Sequence, residues 1–102
     1  VMDIEEWRRR IDAIDRKLVD LLNERSRAAL EIGRLKRRRG MPLYQPEREA
    51  EILAAVQRVN GGPLDNEAVR RLFERILDEA RSVEHRAYRA PEETGSPDKT
   101  SG

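Results

Sequence analysis

The sequence predicts an all-α domain built around one unusually long helix. Three observations carry this. Helix formers (Ala, Leu, Glu, Arg) dominate the 102 residues, while aromatics make up 4% and β-branched residues are sparse. Over the first third of the chain apolar residues recur at alternating three- and four-residue steps, a heptad seam. Starting and stopping residues then cut the rest into two shorter helical segments.

Asp3 is placed to cap the first helix. Its seam runs through Ile4, Trp7, Ile11, Ile14, Leu18, Leu21, Ala28, Ile32 and Leu35 and persists to about Arg39, where Gly40, Met41 and Pro42 end it. Pro46 opens a second helix reaching about Val59, stopped by Asn60-Gly61-Gly62-Pro63. Asp65 caps a third helix to about Arg89, with Val69, Leu72, Phe73, Ile76, Leu77, Ala80 and Val83 on its apolar face. Residues 1–90 therefore read as one helical domain. The stretch "PEETGSPDKTSG" from Pro91, within 91–102, reads as a disordered tail or a linker.

Length matters for the first helix. About 36 residues at 1.5 Å each span roughly 54 Å, whereas a compact domain of this size has a radius of gyration of about 13 Å. The helix should project from any monomeric globule and leave its seam bare. An intertwined homodimer is the economical way to cover it.

Composition excludes several kinds of chemistry. There are no cysteines, so disulfides, zinc thiolates and thiol catalysis are out, and one histidine, His85, cannot build a metal cluster. Charged residues make up 40%, but 21 basic and 20 acidic side chains nearly cancel, which argues against a nucleic-acid partner. No stretch approaches the roughly 20 apolar residues of a membrane helix. A cytoplasmic protein with no membrane partner is expected.

The seam has one violation. The position after Leu21 that should be apolar is Arg25. A guanidinium there is costly unless paired. It either sets the register of the helices or marks an anion site inside the bundle. Lys36 lies eleven residues on, on the same face and roughly 16 Å along the axis. Arg48 stands in the first turn of the second helix, where the dipole favours acids such as Glu47 and Glu49 and a cation needs a reason. Arg8 is about 26 Å from Arg25 on the same helix and could reach that site only from a second, antiparallel copy. If Arg25, Lys36, Arg48 and a trans Arg8 converge, they suit a small ligand with two or more carboxylates. Glu49 adds an acceptor for a hydroxyl, and Glu84 is a further lining group.

These residues resemble a known family, the all-helical class of chorismate mutases. The resemblance runs from about Trp7 to His85 through "WRRRIDAIDRKLVDLLNERSRAALEIGRLK", "PEREAEIL" and "NEAVRRLFERILDEA". It implies a three-helix protomer, an intertwined homodimer with two shared sites, and the cofactor-free Claisen rearrangement of chorismate to prephenate. By matching position, Arg25 and the partner's Arg8 would hold the two carboxylates. Lys36 would bind the ether oxygen and help hold a carboxylate. Arg48 would support binding, and Glu49 would accept from the ring hydroxyl. Three positions depart from common members. Glu84 stands where a Gln is frequent and would have to be protonated to donate to the ether oxygen. Ala80 replaces a serine near a carboxylate. Gln45 replaces an Asp near the ring hydroxyl, where a backbone contact could survive the change.

Other residues read more plainly. Trp7 and Phe73 are read as packing residues and His85 as solvated. Arg70, Arg71, Arg75 and Arg81 are surface charges or salt-bridge partners, and Tyr44 either packs over the site or fills its loop. Three rival functions remain at this level. They are an isochorismate-pyruvate lyase on the same fold, a chorismate- or prephenate-sensing domain of a fused first-step shikimate-pathway synthase, and a helical interaction protein. Glu49 favours the mutase over the lyase, and Arg25 with the Arg48-Glu49 pair is poorly explained by an interaction role.

Overall fold

Asp3 starts the first helix through a reciprocal pair. Its carboxylate accepts from the Glu6 N–H at 2.9 Å, and the Glu6 carboxylate accepts from the Asp3 N–H at 3.0 Å. In the computed structural model, which describes residues 1 and 3–89, helix α1 then runs Ile4–Arg39 without a break. It ends at Gly40, whose φ of 64° is a left-handed conformation that costs glycine little. Helix α2 covers Pro46–Val59 with its proline in the first turn, where a missing N–H costs nothing. Gln45 precedes it without a side-chain cap bond. Helix α3 covers Asn66–Arg89, and the Asp65 carboxylate accepts from the Ala68 N–H at 2.7 Å. Asn60 organises the α2–α3 turn by donating to the Leu64 carbonyl and to Asn66, both at 2.8 Å. The segment from Pro91 lies outside the described residues.

The three helices lie side by side with α3 in the middle. α3 packs against both α1 and α2, and α1 and α2 do not pack on each other. α1 and α3 run parallel: Gly33 abuts Glu84 and Ala87, and the Tyr88 hydroxyl donates to the Met41 carbonyl at 3.2 Å. The result is a slab of 57 × 35 × 15 Å with a radius of gyration of 18.1 Å. Its long dimension is close to the length expected of α1, and its thickness is little more than one helix diameter.

A slab that thin cannot enclose a core. Among the described residues the buried apolar side chains are Ala29, Val69, Leu77 and Ala80, and none is wholly sealed. The α1 seam is bare: Trp7, Ile11, Ile14, Leu18 and Leu21 are each at least half exposed. Two packing assignments change in this light. Leu72 is 55% exposed, because it lies at the margin of the α3 stripe centred on Val69, Leu77 and Ala80. Phe73 is only half-buried.

Candidate active site

α1 and α2 stand apart on either side of α3, and a cleft of about 630 Å³ lies between them. Its floor is Leu77 and Ala80 of α3. One wall is α1, which contributes Arg25, Ala29 and Lys36. The other is the start of α2 and the residue before it, which contribute Gln45, Arg48 and Glu49, and Glu84 of α3 also lines the cleft. Every site position expected from the sequence except Arg8 therefore borders this one cleft. Arg8 pairs with Glu5 at 3.2 Å on the exposed N-terminal part of α1.

Lys36 is the most enclosed charge, at 9% exposure. Its Nζ donates to the Leu43 carbonyl at 2.7 Å and to Glu84 Oε1 at 2.9 Å. An ammonium has three N–H donors, so one is left for a ligand. The same contacts do structural work, since one side chain ties the α1–α2 loop to α3. The sequence showed Lys36 on the right face of α1 but held no sign of its bond to Leu43.

Arg25 is half-buried and has no hydrogen bond or ion pair among the described residues. A guanidinium in that setting favours an anion. Arg48 makes one long, exposed contact with Glu51 at 3.4 Å, which screening leaves weak. Both cations can turn to a ligand at little cost.

Glu49 is tied to a residue outside the expected set. Arg81 of α3 donates from Nε to Glu49 Oε2 at 2.9 Å, also pairs with Asp78, and lies 5.5 Å over the Tyr44 ring. Burial acts to lower the Arg81 pKa, but the Glu49 and Asp78 carboxylates outweigh it and hold it above the ordinary arginine value. One rather general reading thereby becomes definite, that Arg81 is a salt-bridge partner. Tyr44 is 57% exposed and lies under Arg81 in the loop before α2, outside the residues that line the cleft. The lone histidine, His85, is exposed beside Arg89.

Three cations (Arg25, Lys36, Arg48) face four carboxylates (Glu47, Glu49, Glu51, Glu84) around the cleft, a balance of minus one. Among the described residues no cluster of His, Cys, Asp and Glu is disposed to hold a metal. No helix among them is long and apolar enough to cross a membrane.

The fold and cleft together define an all-helical domain whose cleft is lined by guanidinium, ammonium and carboxylate groups. The chain belongs to the type II chorismate mutase family, which it matches over residues 7–85. It is similar to the chorismate mutase (form II) of Thermus thermophilus, at 40% identity and a TM-score of 0.80 over 81% of this chain and 94% of that one. It is also similar to the chorismate mutase of Helicobacter pylori solved in complex with prephenate, at 30% identity and a TM-score of 0.79 over 87% of this chain and 97% of that one. A bifunctional chorismate mutase/prephenate dehydratase of Pseudomonas aeruginosa is 41% identical over 99 residues, covering 89% of this chain and 27% of the relative. The chain thus spans about a quarter of the length of the curated bifunctional proteins it matches.

Proposed function

We propose that this chain catalyses the rearrangement of chorismate to prephenate as a cytoplasmic homodimer in which each site is shared between two subunits. One observation carries the reading. The unpartnered Arg25 and the enclosed Lys36 border the same cleft as Arg48, Glu49 and Glu84, although they come from three separate helices.

The reaction breaks the ether C–O bond and forms a C–C bond within one molecule. Electrons stay in the substrate, and no nucleophile, cofactor or obligatory proton transfer is required. What remains for the protein is orientation and electrostatics. Arg25 binds one substrate carboxylate, and Arg48 supports carboxylate binding from the α2 wall. Lys36 turns its third N–H to the ether oxygen, where negative charge grows as the bond breaks. Glu84 shares that oxygen when protonated. Glu49 accepts from the ring hydroxyl, with Gln45 beside it. Ala80 leaves the floor without the hydroxyl donor that a serine would bring.

The charge balance supports a second copy. A dianion entering a cleft where three cations already face at least three carboxylates needs another cation, and Arg8 of a partner subunit is the one the family pattern supplies. The bare α1 seam supports the same arrangement, since each half-exposed apolar side chain covered by a partner contributes on the order of 1 kcal/mol.

The relatives' lengths favour a second setting for the same activity, a domain within a larger bifunctional enzyme. The relatives in question join the mutase to prephenate dehydratase rather than to the first-step synthase that the sequence suggested.

The test is ultraviolet monitoring of chorismate loss by the purified chain, with Arg25→Ala as control. Turnover by the parent chain and its collapse in the variant are expected. Salicylate formed from isochorismate in preference to chorismate turnover would reassign the chain to the lyases.

A further inference from the structure

Glu49 has a defined task in the proposed reaction but stands in a poor place to perform it. It sits in the first turn of α2 among Glu47, Arg48 and Glu51, on a side chain with three rotatable bonds. Left alone, such a carboxylate would sample many rotamers, and ordering it costs side-chain entropy. α2 does not pack on α1, so its packing support comes from α3.

Arg81 supplies what is missing. Its Nε holds Glu49 Oε2 at 2.9 Å while its terminal nitrogen is held by Asp78 one turn back on α3. The guanidinium plane also lies over the Tyr44 ring, in the loop that leads into α2. One planar group thus fixes the first turn of α2, the preceding loop and α3 relative to each other, a role that suits arginine and not lysine. Among the described residues only one oxygen of Glu49 is engaged, so the other remains an acceptor on the cleft wall.

We propose that Arg81 is a positioning residue that makes Glu49 a selective acceptor for the ring hydroxyl of the substrate. Arg81 holds one Glu49 oxygen so that the other is aimed and ready. This rests on the mutase reading above. Discrimination between a hydroxylated ring and one lacking the hydroxyl then depends on a residue that does not itself border the cleft.

The experiment compares kcat/KM for chorismate and for a chorismate analogue with hydrogen in place of the ring hydroxyl, in the parent chain, Arg81→Met, Glu49→Gln and the double variant. Arg81→Met should lower kcat/KM for chorismate about tenfold while leaving the deoxy analogue within about twofold. In the Glu49→Gln background the same substitution should cost less than about twofold on chorismate. Arg81→Lys should fall between parent and Arg81→Met, and it serves in place of Arg81→Met should that variant not fold. Equal losses on both substrates, or an undiminished loss in the Glu49→Gln background, would show a merely structural role and overturn the proposal. A parent chain inert toward chorismate would overturn the mutase reading, and this one with it.

Discussion

Gly33 of α1 lies directly against the backbone of Glu84 on α3. A Cβ added at Gly33 would meet the Glu84 carbonyl oxygen at 2.8 Å and its Cα at 3.1 Å. Both are backbone atoms that cannot swing aside. The contact sits one turn before Lys36, so it sets the helix separation across which Lys36 reaches Glu84 at 2.9 Å.

Gly33→Ala therefore tests two opposed effects. Alanine raises helix propensity by about 1 kcal/mol, while overpacking costs about 1–3 kcal/mol. The clash should win, lowering the thermal midpoint modestly. Activity should suffer more, because parting α1 from α3 moves Lys36 away from Glu84, and misplacement near 1 Å can cost roughly a hundredfold. A variant more stable than its parent with unchanged kcat/KM would refute this account of the contact.

The Lys36–Glu84 pair is mostly buried, with side chains 11% and 14% exposed. Removing one partner strands the other, so Lys36→Met should destabilise the fold by on the order of 3 kcal/mol. Replacing both with methionine should restore much of that loss without restoring chorismate turnover. Chemical denaturation alongside the ultraviolet assay separates the two effects. Parallel recovery of stability and activity would mean that Lys36 serves packing alone.

Glu84 accepts from Lys36 at 2.9 Å, and a carboxylate has no hydrogen to offer a ligand. Glutamine keeps an acceptor oxygen for Lys36 and adds an N–H donor facing the cleft. Glu84→Gln is therefore expected to retain or raise kcat/KM for chorismate, whereas Glu84→Ala should lower it about tenfold. The measurement is kcat/KM of both variants beside the parent chain. A Glu84→Ala variant as active as the parent would remove Glu84 from the chemistry of the cleft.

The proposed sharing of the site between subunits predicts complementation. Arg8→Ala and Arg25→Ala homodimers should each be nearly inactive. After random mixing about half the dimers are mixed, and each of those has one site with both arginines, so about a quarter of the parent activity should return. If mixing restores nothing, Arg8 does not act in trans.

Disrupting the seam should dissolve the proposed dimer. Ile14→Glu or Leu18→Glu places a charge on the bare face of α1, outside the residues that line the cleft. Sedimentation should show a monomer of low stability that has lost turnover. A fully active monomer would separate the seam from the function.

Much of the fold was legible in the chain because its signals are local. Asp3, Pro46 and Asp65 each act within one helical turn, and each helix starts where they indicated. Arg25, Lys36 and Arg48 stood out because a cation at an apolar or dipole-disfavoured position breaks a local rule. Arg81 broke none. It carries an acid three residues before it, like any solvated helix pair, and its partner Glu49 is 32 residues away. Gly33 gave no local sign either, since the carbonyl it makes room for lies on another helix.

The sequence by itself determined three helices, their ends, the bare seam and the cations that needed an anion, because capping, periodicity and burial cost depend on neighbours within a few residues. Only the tertiary structure decided that α1 and α2 flank α3 without touching, and that Lys36 is tied to Leu43 and Glu49 to Arg81. Those are distances between elements. They follow from how side-chain surfaces fit once the helices meet, which no local pattern encodes.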